Sequence, residues 1–389
     1  MRRAVIVDGV RTPFARGRRG GALHGIHPVD LHAGLLAALV QRNALDPARI
    51  DDVLTGCVVQ VGEQAGNIGR QAVLAAGLPE SVPAVTIDRK CGSAQQAMDF
   101  AAMGIIAGAY DIAIAGGVEM MSMVEAKSNR LGRDSLGPRF AARYPAGLVH
   151  QGISAELIAA RHGISRAAMD AFAARSHQLA AHAEDAGTFA ADILPVGTVC
   201  RDEGVRRDTS ADALAALKPA FHSTEMAARF PEIGWAITAG NSSQLSDGAS
   251  ALLLMEEATA RALGLKPRAA LTHFAVVGDD PLLMLTGVIP ATRRLLAKAG
   301  LTIADIDSFE INEAFASVVL AWAAATGADP ARVNRFGGAI ACGHPVGASG
   351  GRLMLNLLAA LEHSGGRYGL VSMCESGGMA NATLVERIP

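Results

Sequence analysis

Strand-like apolar runs alternate with helical stripes in the first part of the chain. Residues 84–88 and 112–115 have the length and composition of strands. Between them, apolar residues at 98, 101, 102 and 105 recur at the spacing of one helix face. This order predicts a strand, a helix and a second strand.

The same order recurs towards the end of the chain. Residues 309–311 and 370–373 predict strands, and apolar positions between 353 and 361 form a helical stripe. The order is accompanied by a weak sequence repeat, because LDPARIDDV at 45–53 resembles LTIADIDSF at 301–309. Strand–helix alternation predicts mixed or parallel sheets covered by helices, so we expect an α/β fold built from two similar halves.

The middle of the chain, roughly residues 120–248, has a different character. It is polar and rich in Arg and Gly, with one clear amphipathic helix predicted over 166–183 and long irregular stretches. Long loops inside a compact protein usually serve a site. We therefore expect this segment to be an insertion that covers a functional site.

Composition narrows the class of protein. Half of the 389 residues are apolar, only 4% are aromatic and 43 are glycine, which favours close packing of small side chains over disorder. The formal net charge is −2 and no basic stripe is present, which excludes a nucleic-acid partner. The first apolar run stops at Asp8, too early for a signal peptide or a membrane span, so we expect a cytoplasmic protein.

The cysteines favour a reactive thiol over a disulfide or a metal site. There are five, an odd number, and none forms a C-x-x-C pair, so we expect neither a disulfide framework nor bound metal. Cys91 lies between the strand predicted at 84–88 and the helix that follows. The N-terminus of a helix favours a thiolate, which suits a nucleophile. The alternative is a small buried thiol that fills a tight turn.

Three further residues lie at the ends of predicted strands or before a helix. His344 stands among glycines in GGAIACGHPVGASG at 337–350, and a mere turn is its alternative role. Cys374 ends a strand and is followed by glycines. Asn312 follows the strand 309–311, where capping of the next helix would also explain it. Because open α/β sheets place their sites at strand ends, we expect these residues to converge.

Together these segments resemble the thiolase family, whose members make or cleave 3-ketoacyl-CoA thioesters. The resemblance spans the chain and includes VDGVRTPF at 7–14, GGVEMMS at 116–122 and AGNSSQLSDG at 239–248. It implies a five-layered αβαβα fold of two fused βαβαβαββ halves with an inserted loop domain. The implied division is 1–119 with 249–268 for the N-terminal half, 120–248 for the loop domain that covers coenzyme A, and 269–389 for the C-terminal half.

The resemblance also implies a role for each candidate residue. Cys91 would be the nucleophile, His344 the base, and Cys374 the group that moves a proton at the acetyl carbon. Asn312 would hold a water, and the oxyanion holes would comprise the N–H groups of Cys91 and Ser376 together with His344. The residues implied for binding of substrate and coenzyme A are Ser243, His150 and Phe315.

The implied function is that of an acyltransferase with coenzyme A as co-substrate and no permanently bound cofactor. Its partners would be acyl-CoA substrates, and it would form a homodimer or homotetramer. Gln151 and a long 222–237 segment point to a degradative 3-ketoacyl-CoA thiolase. The stretch 56–63 and the segment from there to Gln96 resemble thiolases that act on steroid-derived acyl chains. The alternatives are an acetyl-CoA acetyltransferase and a non-catalytic thiolase-like lipid carrier.

One position departs from the family pattern. Ser376 stands in CESGG at 374–378, where thiolases usually have glycine. A serine keeps the backbone N–H, so the oxyanion hole can persist. The exchange would strain the backbone if this position needed a positive φ, which serine tolerates poorly. The added hydroxyl would also narrow the acyl pocket.

Overall fold

The computed structural model describes residues 2–389, and within them it contains ten β-strands and thirteen α-helices. The strands are β1 Ala4–Arg11, β2 Ala15–Arg16, β3 Asp52–Gly56, β4 Ala84–Ile87, β5 Ile112–Met120, β6 Ser246–Glu256, β7 Ala269–Gly278, β8 Ser308–Ile311, β9 Tyr368–Glu375 and β10 Met379–Arg387. The helices are α1 Pro28–Arg42, α2 Ile68–Ala75, α3 Ser93–Ala107, α4 Gly137–Arg143, α5 Gln151–Arg161, α6 Arg166–Asp185, α7 Ala211–Ala215, α8 Thr224–Arg229, α9 Glu257–Ala262, α10 Val288–Ala299, α11 Ala316–Thr326, α12 Ala339–Cys342 and α13 Ser349–Ser364.

Nine of the strands follow one another across the sheet in the order β4-β3-β5-β6-β1-β7-β10-β9-β8. The two halves meet where β1 pairs antiparallel with β7, with Ala4 opposite Leu271. In the first half β3 runs parallel to β4 and β5, and in the second half β8 runs parallel to β9. The order β3-β5-β6-β1 is matched by β8-β9-β10-β7, so the internal repeat predicted from sequence is a repeat of topology.

Helices pack on these strands in layers. The layer between the two halves consists of α3 and α13, which contact each other and strands of both halves. The outer layers are α1 with α2 on the first half and α10 with α11 on the second. A Cβ on Gly350 of α13 would overlap the backbone of Gln95 in α3, so the two central helices approach to backbone contact. The predicted five-layered α/β fold is confirmed.

The two central helices end in the same way. Gly108 follows α3 and Gly365 follows α13, and each has a left-handed backbone, with φ of 82° and 68°. Glycine adopts this conformation without strain, which allows the chain to turn sharply into the next strand. The predicted strands and helix stripes coincide with observed elements, although β4 ends at Ile87, one residue before the predicted end, and the helix predicted over 166–183 extends to Asp185 as α6.

The segment between β5 and β6 contains α4 to α8. One of these helices, α5, is largely buried although its sequence gave no clear prediction. The assignment of 120–248 as an inserted domain stays a prediction. No helix within residues 2–389 is both long and apolar enough to cross a membrane.

Candidate active site

The four candidate catalytic side chains lie at strand or helix ends and are all buried. Cys91 lies between β4 and α3, where Gly92 is the N-cap, and Asn312 directly follows β8. His344 follows α12 after one glycine, and Cys374 is the penultimate residue of β9. Their exposed fractions are 8%, 1%, 6% and 0% respectively, so each is shielded from bulk water.

The fold brings these side chains together. Asn312 Nδ2 lies 3.4 Å from His344 Nε2. The Cys374 thiol lies close enough to the Cys91 thiol for each charge to affect the other, and it faces the Asn312 side chain. The two halves therefore contribute jointly, with Cys91 from the first and the other three residues from the second.

The Cys91 thiol is protonated in this environment. Burial, followed by the nearby Glu375 carboxyl, raises the pKa of Cys91 to about 12. The backbone N–H groups of Cys91 and Ser376 oppose this rise, because they face the sulfur and favour the thiolate. The helix N-terminus therefore does not by itself make Cys91 a thiolate in the resting protein. Desolvation outweighs the helix, and a base is needed to ionise the thiol.

His344 is held as a neutral base by Ser349, the first residue of α13. His344 Nδ1 lies 2.6 Å from Ser349 Oγ, and that hydroxyl donates its proton to Pro345 O at 2.9 Å. The hydroxyl therefore accepts from Nδ1–H, which leaves the lone pair of Nε2 directed at Asn312. Burial, assisted by the charge of Arg352, lowers the pKa of His344 to about 3.

Cys374 retains its proton more strongly than an ordinary thiol. Burial raises its pKa, and the neighbouring Cys91 and Glu375 raise it further, while the Asn312 side chain opposes the rise. A buried thiol of this kind is suited to hold a proton and to release it to a carbanion at close range.

Asn312 does not cap the next helix. The N-cap of α11 is Phe315, so the capping alternative for Asn312 is wrong. Its Oδ1 has no hydrogen-bond partner among residues 2–389, and one water can satisfy it. Asn334, which the sequence analysis missed, fixes the preceding strand, because its side chain exchanges two hydrogen bonds of 2.9 Å with Ile311.

Ser376 follows β9 without a left-handed backbone. The positive φ angles of this turn fall on Gly377, at 94°, and Gly378, at 78°. The turn therefore places the left-handed conformation only on residues without a side chain, and serine is compatible with position 376.

The residues implied for substrate binding form a row beside the catalytic groups. The His150 ring stacks on Phe221 at 5.3 Å, and the Phe221 ring meets Phe315 edge to face at 6.0 Å. The backbone N–H of Ser243 donates to Ala314 O at 2.9 Å, which places it next to Phe315. Phe221 was missed, although its position at the start of the long 222–237 connection is a usable signal.

The 222–237 segment is anchored on α5. Phe230 and Ile233 pack against Ile153 and Leu157 in a small apolar cluster. The Glu156 carboxylate accepts hydrogen bonds from the backbone N–H groups of residues 236 and 237 at 2.9 and 2.8 Å. The segment is therefore fixed on α5 by apolar packing and hydrogen bonds, and it lies next to the aromatic row.

No metal centre is formed by the described part of the chain. Within residues 2–389, no group of three or more His, Cys, Asp and Glu side chains is arranged to hold a metal ion. All five cysteines are free.

Comparison with family models identifies both parts of the chain. Residues 4–258 match the model described as thiolase, N-terminal domain, and residues 265–387 match the model described as thiolase, C-terminal domain.

Named relatives match over the whole of this chain. The chain is 46% identical over 400 residues to the steroid 3-ketoacyl-CoA thiolase FadA6 of Mycobacterium tuberculosis, covering all of this chain and 95% of that protein. It is 43% identical over 401 residues to a 3-ketoacyl-CoA thiolase of Escherichia coli, with both chains fully covered. The crystal structure of the Bacillus anthracis acetyl-CoA acetyltransferase superposes with a TM-score of 0.88 at 35% identity, covering 100% of this chain and 99% of that one.

Proposed function

The chain belongs to the thiolase family, and on that premise we propose that it is an acyltransferase that cleaves 3-ketoacyl-CoA with coenzyme A. The products are acetyl-CoA and a shortened acyl-CoA. The observation that carries the proposal is that two buried thiols, Cys91 and Cys374, affect each other's charge, and that Asn312 faces Cys374 and also lies 3.4 Å from the neutral His344 ring. Coenzyme A is the co-substrate, and the proposal includes no permanently bound cofactor.

The first step is attack by Cys91. His344 Nε2 takes the thiol proton, and the sulfur adds to the 3-keto carbon of the substrate. The oxygen of that carbon becomes an oxyanion, which the N–H groups of Cys91 and Ser376 stabilise. The orientation of both N–H groups towards the Cys91 sulfur supports this assignment.

The second step breaks the carbon–carbon bond. The electron pair of that bond passes to the leaving acetyl-CoA as an enolate, and Cys374 gives its proton to the enolate carbon. The enolate oxygen lies against His344 and a water held by Asn312. These two hydrogen-bond donors stabilise the negative charge on that oxygen. The 3.4 Å approach of Asn312 to His344 supports this pairing.

The third step returns the acyl group to coenzyme A. His344 takes the proton of the coenzyme A thiol, and that sulfur attacks the acyl–Cys91 thioester. Cys91 leaves as a thiolate and takes that proton back from His344. Before coenzyme A reacts, the proton that His344 took from Cys91 in the first step passes to the Cys374 thiolate, so His344 is neutral again and both thiols end the cycle protonated. Ser243, His150 and Phe315 bind the pantetheine and acyl parts, which the row of aromatic rings beside the site supports.

The proposed physiological class is degradative. Both named relatives are 3-ketoacyl-CoA thiolases, and the one at 46% identity is named for steroid substrates, which supports a bulky acyl chain. Acetyl-CoA acetyltransferase is the second candidate, favoured by the structural match at 35% identity. We place the enzyme in the cytoplasm, a reducing compartment in which free thiols such as Cys91 persist.

The proposal includes a homodimer or homotetramer. Within residues 2–389, β4 pairs with β3 alone, so its outer edge is open. Exposed apolar side chains on α2, β4 and α3 surround this edge, and we call them the β4 patch: Leu74, Val85, Phe100, Met103 and Ile106. An open strand edge with apolar flanks fits a second copy of the same strand across a two-fold axis.

The acyl-enzyme intermediate gives the direct test. Incubation with 3-ketoacyl-CoA in the absence of coenzyme A should leave an acyl mass adduct on the peptide that contains Cys91. Cys200→Ser is the matched control, because Cys200 is exposed and free, and this variant should still be labelled at Cys91. An adduct on Cys374 alone, or binding without any adduct as expected of a lipid carrier, contradicts the proposal.

A substrate panel separates the two enzyme candidates. A degradative thiolase should cleave medium-chain or steroid-derived 3-ketoacyl-CoA at higher kcat/KM than acetoacetyl-CoA. The reverse preference would assign the protein to the acetyltransferases.

A further inference from the structure

Glu375 is a buried carboxyl that the reaction scheme does not use. It ends β9 between Cys374 and Ser376, and its exposed fraction is 0%. Neither carboxyl oxygen has a hydrogen-bond partner among residues 2–389. A buried unpartnered carboxylate is costly, so its protonation state needs an explanation.

The Glu375 side chain packs against the residue that follows Cys91. A Cβ added to Gly92 would overlap Glu375 Oε1 and would lie 2.9 Å from Asn381 Oδ1. Both oxygens therefore converge on one point above Gly92. Asn381 Nδ2 donates to Gln96 Oε1 at 3.1 Å, so its Oδ1 is the atom that faces Glu375, and that oxygen has no donor within the described chain.

Glu375 Oε1 and Asn381 Oδ1 are both hydrogen-bond acceptors, so a hydrogen bond between them needs a proton on one of the two oxygens. A neutral Glu375 can donate its proton to Asn381 Oδ1, whereas a carboxylate would oppose that oxygen and leave both without a donor. The main chain of Glu375 leads into the N–H of Ser376, and its side chain rests on Gly92, directly after Cys91. Glu375 thus touches both segments that carry the N–H groups facing the Cys91 sulfur.

We propose that protonated Glu375 is a positioning residue that holds these two N–H groups in place through Asn381, and that its ionisation suppresses acylation of Cys91. The inference rests on the proposed role of Cys91 as nucleophile. Ionisation acts in two ways, because it removes the donor to Asn381 and places a negative charge beside the sulfur that must become a thiolate.

Burial is the main reason that Glu375 is neutral near pH 7. Burial raises its pKa to about 8, Arg89 opposes the rise, and Asp99 and Asp88 add to it. Burial also raises the pKa of Asp99 to about 7, although Thr383 donates to its Oδ1 at 2.7 Å. The titratable or charged groups that affect Glu375 or are affected by it are Arg89 and Asp88 before α3, Cys91, Asp99 on α3 and Cys374 on β9.

The test compares acylation rates of the wild type and Glu375→Gln between pH 6.5 and 9.5. Glutamine keeps a donor for Asn381 Oδ1 and cannot ionise. The two proteins should react at similar rates at pH 6.5. Above pH 9 the pH is at least one unit higher than the Glu375 pKa of about 8, so most wild-type molecules carry an ionised Glu375. The variant should therefore react about tenfold faster than the wild type there. Glu375→Leu, which has no donor, should be slower at every pH. A ratio of Glu375→Gln to wild-type rates that does not change with pH overturns the inference.

Asp99→Asn tests the coupling to the neighbouring acid. This change removes an anion that opposes ionisation of Glu375, so the loss of wild-type activity should move to lower pH. An unmoved inflection counts against the proposal. Failure of the proposed function is distinguishable, because the wild type would then show no adduct on Cys91 at any pH.

Thermal unfolding gives a readout independent of acylation. The folded protein binds the Glu375 proton more tightly than the unfolded chain does, so this group's stabilisation is lost as pH rises from about 4.5 to about 8. Glu375→Gln should reduce the decline of the melting temperature over that range. Equal slopes for the two proteins would show that Glu375 does not hold the proton.

Discussion

At the scale of single residues, the two active-site thiols have different duties, and one substitution separates them. Cys374→Ala should still accept an acyl group on Cys91 from a simple acyl-CoA, because that transfer needs only the nucleophile, His344 and the N–H donors. Cleavage of the carbon–carbon bond should fall about 10²–10⁴-fold, since a proton must also be moved at the acetyl carbon. Labelling and thiolysis assays on the same preparation measure the two activities.

Cys91→Ala should abolish both activities and serves as the comparison. If folded Cys374→Ala retained near-normal thiolysis, the terminal cysteine would be structural and another group would have to carry the proton.

Ser349 should matter because it selects the tautomer of His344. Ser349→Ala removes the acceptor of the Nδ1 proton, so the ring can rotate or change tautomer, and kcat should fall on the order of 10²-fold. Ser364→Ala is the matched control on the same helix, because Ser364 is exposed and its hydroxyl bonds only backbone groups at the end of α13, Ala360 O and Gly366 N–H. Equal kcat in the two variants would argue against the positioning role.

The sequence predicted residues that follow from local order, and missed those that depend on tertiary contact. Cys91 and Asn312 could be found because each stands next to a predicted strand. Ser349 could not, since its importance depends on a hydrogen bond made only when the loop before α13 folds back. The protonation state of Cys91 could not be predicted for a related reason, because desolvation is a property of the assembled core.

At the scale of elements, the 222–237 segment should affect substrate range more than folding. It borders the row formed by His150, Phe221 and Phe315, and it is held on α5 by Phe230 and Ile233. A shortened variant that keeps Phe221 and residues 236 and 237 should change the chain-length profile of thiolysis. An unchanged profile in an active, folded variant would mark the segment as a surface elaboration.

Phe221→Ala is the sharper version of this test. Loss of the ring that bridges His150 and Phe315 should raise KM for long acyl chains more than for acetoacetyl-CoA, because a longer acyl chain would bury more apolar surface against the row. Phe140→Ala, which disturbs the separate Phe140–Tyr144 pair at the C-terminal end of α4, provides the control.

The elements themselves were predictable where their periodicity was strong. The apolar stripe of α13 and the runs in β5 and β9 are long and regular, so sheets covered by helices follow from them, whereas the five layers were implied by the family resemblance. Helix α5 was missed because eight of its eleven residues are buried, which leaves no polar face to produce a helical alternation.

At the scale of the whole molecule, the β4 patch should govern assembly. Val85→Lys combined with Phe100→Lys places charges in the patch, so light scattering should show a lower mass than for the wild type. Leu217→Lys, a comparable change outside the patch, should leave the mass unaltered. A wild type that is monomeric at micromolar concentration would contradict the proposed homo-oligomer.

Buried histidines should make the molecule sensitive to acid. Burial and Arg206 lower the pKa of His177 to about 4, so the folded protein resists its protonation and stability is lost as pH falls from about 6.5 towards 4. His177→Asn keeps an acceptor for the Arg206 N–H and cannot ionise in this range. Its stability relative to the wild type should improve by roughly 2–3 kcal/mol over that interval, as measured by denaturant unfolding at each pH.

The repeated topology places the nucleophile and the base in equivalent connections, since Cys91 precedes α3 and His344 precedes α13. Two identical separate halves would have had to carry the same residues in both connections, because one gene would have encoded both. In a single chain each connection is encoded separately. One connection can therefore carry a thiol and the other an imidazole, so the two repeats keep one topology and differ in chemistry.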